Sequence, residues 1–330
     1  MKWHVLTPFL QARHELWMTE HLQRHQFNIV PAHYLHDPLR ARASLSDWGD
    51  FMRQNARAHR ESRRTEGLLT AFPPLALTAA AMKTLTRRSG PLVAWTFNLG
   101  GLYGGLKQRL ASQVLRSVDA FVVHSRQEVR NYSAWLDLPE DRFHYVPLGR
   151  ELQDPWLEED REQPFVLAMG SANRDWPTLL KAVQGLGYRT VIVAPARTLE
   201  GLALPPQVEV LSGLSREACR ALCQRATLNV VPIANLQTAS GQVALIEAMM
   251  FGRAVVATRC PGTEDIVRDG ENGLLVPAGD APALAERLQA LWLDAAWRAR
   301  LGAAARVHVH AHLSVAAECA RMQVMLDRWA

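Results

Sequence analysis

Residues 230–273 read VVPIANLQTASGQVALIEAMMFGRAVVATRCPGTEDIVRDGENG. The approach to this stretch, TLNVVP at 227–232, is short, β-branched and apolar, so it is expected to be a buried strand. The small residues QTASGQ at 237–242 separate it from a second apolar run. Thr238 or Ser240 offers the hydroxyl that caps a helix starting near Gly241. Val243, Leu245, Ile246, Ala248, Met249 and Met250 make that helix apolar almost all round, which predicts deep burial. Gly252 suits the left-handed position that ends it. AVVAT at 254–258 reads as the next strand, PGT at 261–263 as a turn, and Glu264, Asp265 and Ile266 as the start of a short helix. DGENG at 269–273 is turn chemistry before a last short strand at 274–276.

Glu247 is the anomaly in this helix, because a desolvated carboxylate needs a partner. Two readings stand. In one, Glu247 reaches a neighbouring arginine or a backbone amide and the helix is simply core. In the other, the helix N-terminus takes a phosphate and Glu247, two turns or roughly 10 Å along the axis from Ser240, accepts hydrogen bonds from ribose hydroxyls. One helix would then grip both ends of a nucleoside diphosphate.

Outward from this stretch the chain alternates strands and helices. Strands are expected at 3–9, 27–31, 67–72, 91–97, 119–124, 142–147, 165–169, 188–194 and 208–211. Helices are expected at 14–25, from Ser46, and at 75–87, 105–116, 126–136, 176–183, 215–223, 281–293, 296–310 and 314–329. Pro73-Pro74 is read as the end of the third strand. Asn98, in NLGG at 98–101, sits at the carboxyl end of a strand, where open α/β sheets bind ligands; a plain turn is the competing reading. GSANRD at 170–175 makes a second strand–loop–helix unit, and the plain reading of its Arg174 is a surface ion pair with a nearby acid.

The composition narrows the class. At 330 residues, 48% hydrophobic and 21% charged, the chain suits two globular domains. No apolar window approaches the roughly 20 residues of a membrane span, and the opening MKWHVLTPF has no signal-peptide pattern. Cys219, Cys223, Cys260 and Cys319 lack paired metal-ligand spacing, and Cys219 and Cys223, one turn apart, read as buried thiols of a reduced cytoplasmic protein. His308, His310 and His312 alternate along a helix and are expected to point in different directions. The net charge of +5 gathers in the first half, at Lys83, Arg87, Arg88 and 53–64, a distribution able to touch an anionic membrane or a phosphorylated acceptor. Nucleic-acid motifs are lacking.

Taken together, Glu247-Ala-Met, RAVVAT after Gly252, GTE at 262–264, DGENGLLVP at 269–277 and Gly279-Asp280 resemble the C-terminal nucleotide-sugar domain of glycosyltransferase family four. The likeness covers 165–314 well and the first half only in layout, although VHS at 123–125 and YVPLG at 145–149 resemble the family's domain junction. The resemblance implies an α/β protein of GT-B fold, two Rossmann-like domains with parallel sheets facing across a cleft. It divides the chain into an acceptor-side domain at 1–149, a linker at 150–163, a donor domain at 164–313 and a helix at 314–330 crossing back.

The activity it implies is a cytoplasmic, metal-independent hexosyltransferase acting in polysaccharide biosynthesis. A sugar passes with retention from a nucleotide-diphosphate donor to a saccharide or lipid-linked acceptor. No cofactor is implied beyond the donor substrate, and the partners are donor, acceptor and an anionic membrane surface. The implied catalytic residues are Asn98 and Arg174, and the implied donor-binding residues are Arg174, Ser240, Gly241, Gln242, Val243 and Glu247. Two departures stand out. The family's paired glycines in the first loop are replaced by Gln11, Ala12, Arg13 and His14. Its sugar-contacting Glu is Ala239, which leaves Ser240, Gln242 or Asn235 to read the sugar. Two alternatives stay open: a nucleotide-sugar epimerase of the same fold, and, suggested by these departures, a catalytically silent nucleotide-sugar-binding partner.

Overall fold

Short apolar strands separated by helices suit a parallel sheet, since each parallel pairing needs a crossover that returns the chain to the same edge. The computed structural model describes residues 1–8, 21–34, 36 and 43–330, and these contain twelve strands in two six-stranded sheets. The chain divides into two units, Met1–Pro147 with Ala316–Ala330, and Leu148–Val315. The first-loop residues 11–14 and most of the helix expected at 14–25 lie outside the described residues.

In the first unit β1 (Lys2–Leu6), β2 (Gln26–Val30), β3 (Gly67–Ala71), β4 (Leu92–Trp95), β5 (Ala120–Val123) and β6 (Phe143–Tyr145) run parallel in the order β2-β1-β3-β4-β5-β6. Their connections include α1 (Leu45–Glu61), α2 (Pro73–Thr86), α3 (Leu106–Leu115) and α4 (Arg126–Leu136). Helix α1 starts on a capping box: Ser44 Oγ accepts from Asp47 N, and the Asp47 carboxylate accepts from Ser44 N. Pro73 and Pro74 open α2 rather than merely ending β3, because the first helical turn needs no N–H from them.

Two members of the basic cluster serve the fold. Arg88 is buried and donates to Ser62 Oγ and the Glu66 carbonyl, and Lys83 pairs with Asp119. The C-terminal α10 (Val315–Leu326) ends in residues that pack on β1: Trp329 meets the fully buried Trp3 edge-on at 5.8 Å. Trp3 Nε1 donates to His25 Nδ1, which turns His25 Nε2 toward Asp327 as a donor.

The second unit places β7 (Val166–Met169), β8 (Thr190–Val193), β9 (Val208–Leu211), β10 (Leu228–Val231), β11 (Val255–Thr258) and β12 (Leu274–Val276) in the order β12-β11-β10-β7-β8-β9. Its helices are α5 (Trp176–Gln184), α6 (Arg216–Arg225), α7 (Gln242–Met250), α8 (Ala281–Leu293) and α9 (Ala295–His312). Strand side chains alternate between faces. Leu167, Val231, Val255 and Ala257 pack with α7 and α9, whereas Val166, Ala168, Val230 and Val256 pack with α5 and α8.

Helix α7 ends in a complete left-handed cap. Gly252 has φ +69°, and Gly252 N and Arg253 N reach the Met249 and Ala248 carbonyls. There α9 crosses so closely that a Cβ on Gly302 would lie 2.0 Å from the Gly252 oxygen.

Several expectations change here. Residues 261–266 form turns instead of a helix, because the Thr263 hydroxyl is drawn inward to the Thr258 carbonyl at 2.6 Å and accepts from Cys260 N. His308 and His312 share one face of α9, four residues apart, with rings 4.9 Å apart. Residues 150–163 belong to the second unit: Trp156 packs edge-on against Phe251, and Arg253 donates to the Leu157 carbonyl. Cys223 is buried, Cys219 is half-buried, and all four cysteines are free thiols.

Candidate functional site

Reading from β9 across to β12, the second sheet runs β9-β8-β7-β10-β11-β12, so the connections turn opposite ways on either side of β7 and β10. Such a switch point leaves a crevice at the carboxyl ends of the two strands. The loops that meet there are 170–175 after β7 and 232–241 after β10.

The two loops are stitched together. Ala234 N donates to the Asn173 carbonyl at 3.0 Å, and Asp175 N to the Pro232 carbonyl at 3.1 Å. Asn173 Nδ2 donates to Ser240 Oγ at 2.9 Å. Asn173 holds φ +55°, one of the few left-handed backbones an asparagine tolerates. Sequence reasoning did not single out Asn173; an Asn beside a small-residue loop was the available signal.

Gly241, not Thr238 or Ser240, occupies the N-cap of α7, and no side chain caps it. Its φ is +76°, and a Cβ there would meet Ile233 Cδ1 and Val231 Cγ1 at 2.7 Å. Thr238 is fully buried and accepts from Asn235 Nδ2 at 2.6 Å, while Ser240 is engaged by Asn173. Both hydroxyls therefore hold the loop. Because Ser240 precedes the helix, the seven-residue spacing to Glu247 does not place the two on one helical face. Val243 is 47% exposed in the first turn, whereas Gln242 is buried with Nε2 at 3.5 Å from the Gly262 carbonyl.

Ala239 is buried as well. A Cβ built on Gly262 would lie 2.9 Å from Ala239 Cβ and 3.0 Å from Gln242 Nε2, so the turn after β11 closes over this position. Asn235, Ser240 and Gln242, the candidate sugar readers, all have side-chain bonds within these loops.

Arg174 is half-buried at the edge of the crevice. Nε donates to the Met169 carbonyl and Nη1 to the Ala172 carbonyl, both at 2.9 Å. Its guanidinium occupies the space over Gly170, where a Cβ would lie 2.1 Å from Nη2. No acid forms an ion pair with it among the described residues; its partners there are the two backbone carbonyls. Burial pushes its pKa down to about 10, which leaves it a cation at neutral pH.

Glu247 takes the arginine contacts that its core reading called for. Its Oε1 accepts from Arg150 Nη2 at 2.8 Å and from Arg220 Nε at 3.3 Å. Asn98 belongs to the first unit, and its Oδ1 accepts from Gly100 N at 2.8 Å, the geometry of a side-chain-closed turn. The structure thus gathers Arg174, Ser240, Gly241, Gln242, Val243 and Glu247 on adjoining elements of the second unit, and Asn98 lies in the other. Among the described residues no group of three or more His, Cys, Asp or Glu could hold a metal ion, and no helix is long and apolar enough to cross a membrane.

Comparison with known proteins bears on the same segment. Residues 165–294, within the second unit, match the family described as Glycosyl transferases group 1. The chain is 30% identical over 223 residues to a D-inositol 3-phosphate glycosyltransferase of Xylanimonas cellulosilytica, covering 59% of this chain and 53% of that protein. A phosphatidyl-myo-inositol mannosyltransferase of Mycobacterium leprae is 44% identical over 70 residues, 21% of this chain and 19% of that one. The chain spans about half the length, or less, of these relatives.

Among solved structures, Anabaena Alr3699/HepE in complex with UDP and glucose superposes with a TM-score of 0.74 at 14% identity, covering 99% of this chain and 100% of that one. Sucrose-phosphate synthase from Thermosynechococcus elongatus does so with 0.74 at 18%, covering 99% and 98%. These likenesses establish the fold, an α/β architecture of two Rossmann-like units of the GT-B class.

Proposed function

We propose that this protein is a glycosyltransferase that takes a sugar from a nucleoside diphosphate and passes it to a saccharide or lipid-linked acceptor, keeping the anomeric configuration. The observation that carries the reading is the N-terminus of α7 at the switch point, where Gly241 supplies no side-chain cap, beside a loop bearing Arg174, which has no acid partner among the described residues. As the sugar leaves, negative charge gathers on the diphosphate, and a helix N-terminus with Arg174 is the electrostatic arrangement that favours it. Glu247, in the same helix, is assigned to the ribose. The donor requires no metal in this scheme. UDP is the first nucleotide to try, because the solved structure of Alr3699/HepE contains it.

Binding and turnover of a panel of UDP-, GDP- and ADP-sugars test the reading. One nucleotide series is expected to bind, with slow sugar release in the absence of acceptor. Failure of all three to bind would remove it. Binding without transfer to any acceptor would favour the silent partner subunit, a second reading supported by the burial of Ala239 where the family places an acid. Interconversion of the sugar without acceptor would instead favour an epimerase.

Arg174→Ala is expected to lower turnover about 100-fold, the scale on which loss of one preorganised donor to a developing anion is felt. Arg174→Lys should recover part of that loss, because it keeps the charge and forfeits the bidentate fork. Wild-type kinetics in Arg174→Ala would confine the residue to holding its own loop.

A further inference from the structure

Glu247 is held by two arginines that converge on one oxygen. Arg150 Nη2 and Arg220 Nε both donate to Oε1, at 2.8 and 3.3 Å, and neither reaches Oε2. The three side chains are 8% (Glu247), 22% (Arg150) and 13% (Arg220) exposed, so the pairings are largely shielded from water. Two donors on one oxygen fix the plane of a carboxylate and direct its second oxygen.

Each arginine is itself anchored. Arg150 N donates to the Leu313 carbonyl at 2.8 Å and the Arg150 carbonyl accepts from Val315 N at 3.1 Å, which clips the segment after 147 to the segment before 316. Arg220 projects from α6 and donates from Nη1 to Gln153 Oε1 at 3.0 Å. The carboxylate therefore stands between a helix and the strand-like segment where the chain enters the second unit.

We propose that Arg150 and Arg220 are positioning residues for ribose recognition. They hold Glu247 so that Oε2 accepts the ribose hydroxyls of the nucleotide, and they set donor affinity without touching diphosphate or sugar. The proposal rests on the reading of Glu247 as the ribose ligand. A purely architectural ion pair would stabilise the unit and leave ribose recognition unchanged.

The test is a calorimetric titration of the full chain with the tightest binder among UDP, GDP and ADP, and with its 2′,3′-dideoxy analogue. Wild type is expected to bind the dideoxy form about tenfold or more weakly, as loss of hydrogen bonds to a charged group requires. Arg150→Ala and Arg220→Ala should weaken the ribonucleotide about tenfold and leave the dideoxy form nearly unchanged, so discrimination collapses. Arg150→Lys and Arg220→Lys, which keep charge beside Glu247 and guard against loss of fold, should retain part of the discrimination.

Equal weakening of both ligands in the Ala variants, or full discrimination retained in them, overturns the positioning role while leaving Glu247 as ribose ligand. Absence of discrimination in wild type overturns both, and identifies the assignment of Glu247 as the point of failure.

Discussion

Glu247→Ala is expected to weaken nucleotide binding about tenfold or more and to destabilise the second unit. Removing the carboxylate leaves the largely buried Arg150 and Arg220 without the charge that neutralises them. Breaking a buried pair in this way costs on the order of 3 kcal/mol, at the low end of the usual range because Arg150 is partly exposed. In a unit of this size that lowers the melting temperature by roughly 6–12 °C. Glu247→Gln separates the two effects: it keeps the volume and one acceptor oxygen, so most of the packing survives while the charge is lost. Differential scanning calorimetry with nucleotide titration reads both. Unchanged donor affinity in Glu247→Gln and Glu247→Ala would falsify the ribose assignment and leave Glu247 as an internal strut.

The second large effect belongs to Gly241. Gly241→Ala forces a side chain into a backbone at φ +76° and drives its Cβ to within 2.7 Å of Ile233 and Val231. Left-handed strain and overpacking together amount to about 2–5 kcal/mol. The relaxation available is a shift of the loop, which moves the first N–H groups of α7 away from the switch-point crevice. Nucleotide affinity should fall with stability. Gly279→Ala is the control: it has φ +71° with open space around the added methyl, so it carries strain without the clash. If the two variants melt alike and bind nucleotide alike, the close approach at Gly241 is not what shapes the loop.

Elements built from local pattern were legible. The helix at 126–136 and the strands at 208–211 and 274–276 fall where periodicity and turn residues placed them. Gly252 takes the left-handed cap expected of it. Misreadings arose where a local signal had two outcomes. Pro73-Pro74 stops a strand and equally starts a helix, and the structure uses it for the helix. Residues 264–266 carry helix-starting acids, yet the Thr263 hydroxyl turns inward and keeps the segment a set of turns.

For the candidate site, the stretch at 230–273 announced a strand, a small-residue loop and a helix with one carboxylate, and local chemistry was enough for that. The turn that opens α7 follows from Gly241, because glycine alone adopts a positive φ there without a Cβ penalty. What holds Glu247 was decided elsewhere, because Arg150 lies 97 positions away and Arg220 lies 27 positions away in sequence. Arginine carries no periodic signal that names its partner. Pairing at that separation exists only after the sheet order has brought α6, α7 and the entry segment together. The sequence alone determined which residues are candidates for holding an anion or a ribose. The tertiary structure decided which of them are already engaged, since hydrogen-bond partners are set by packing and not by spacing along the chain.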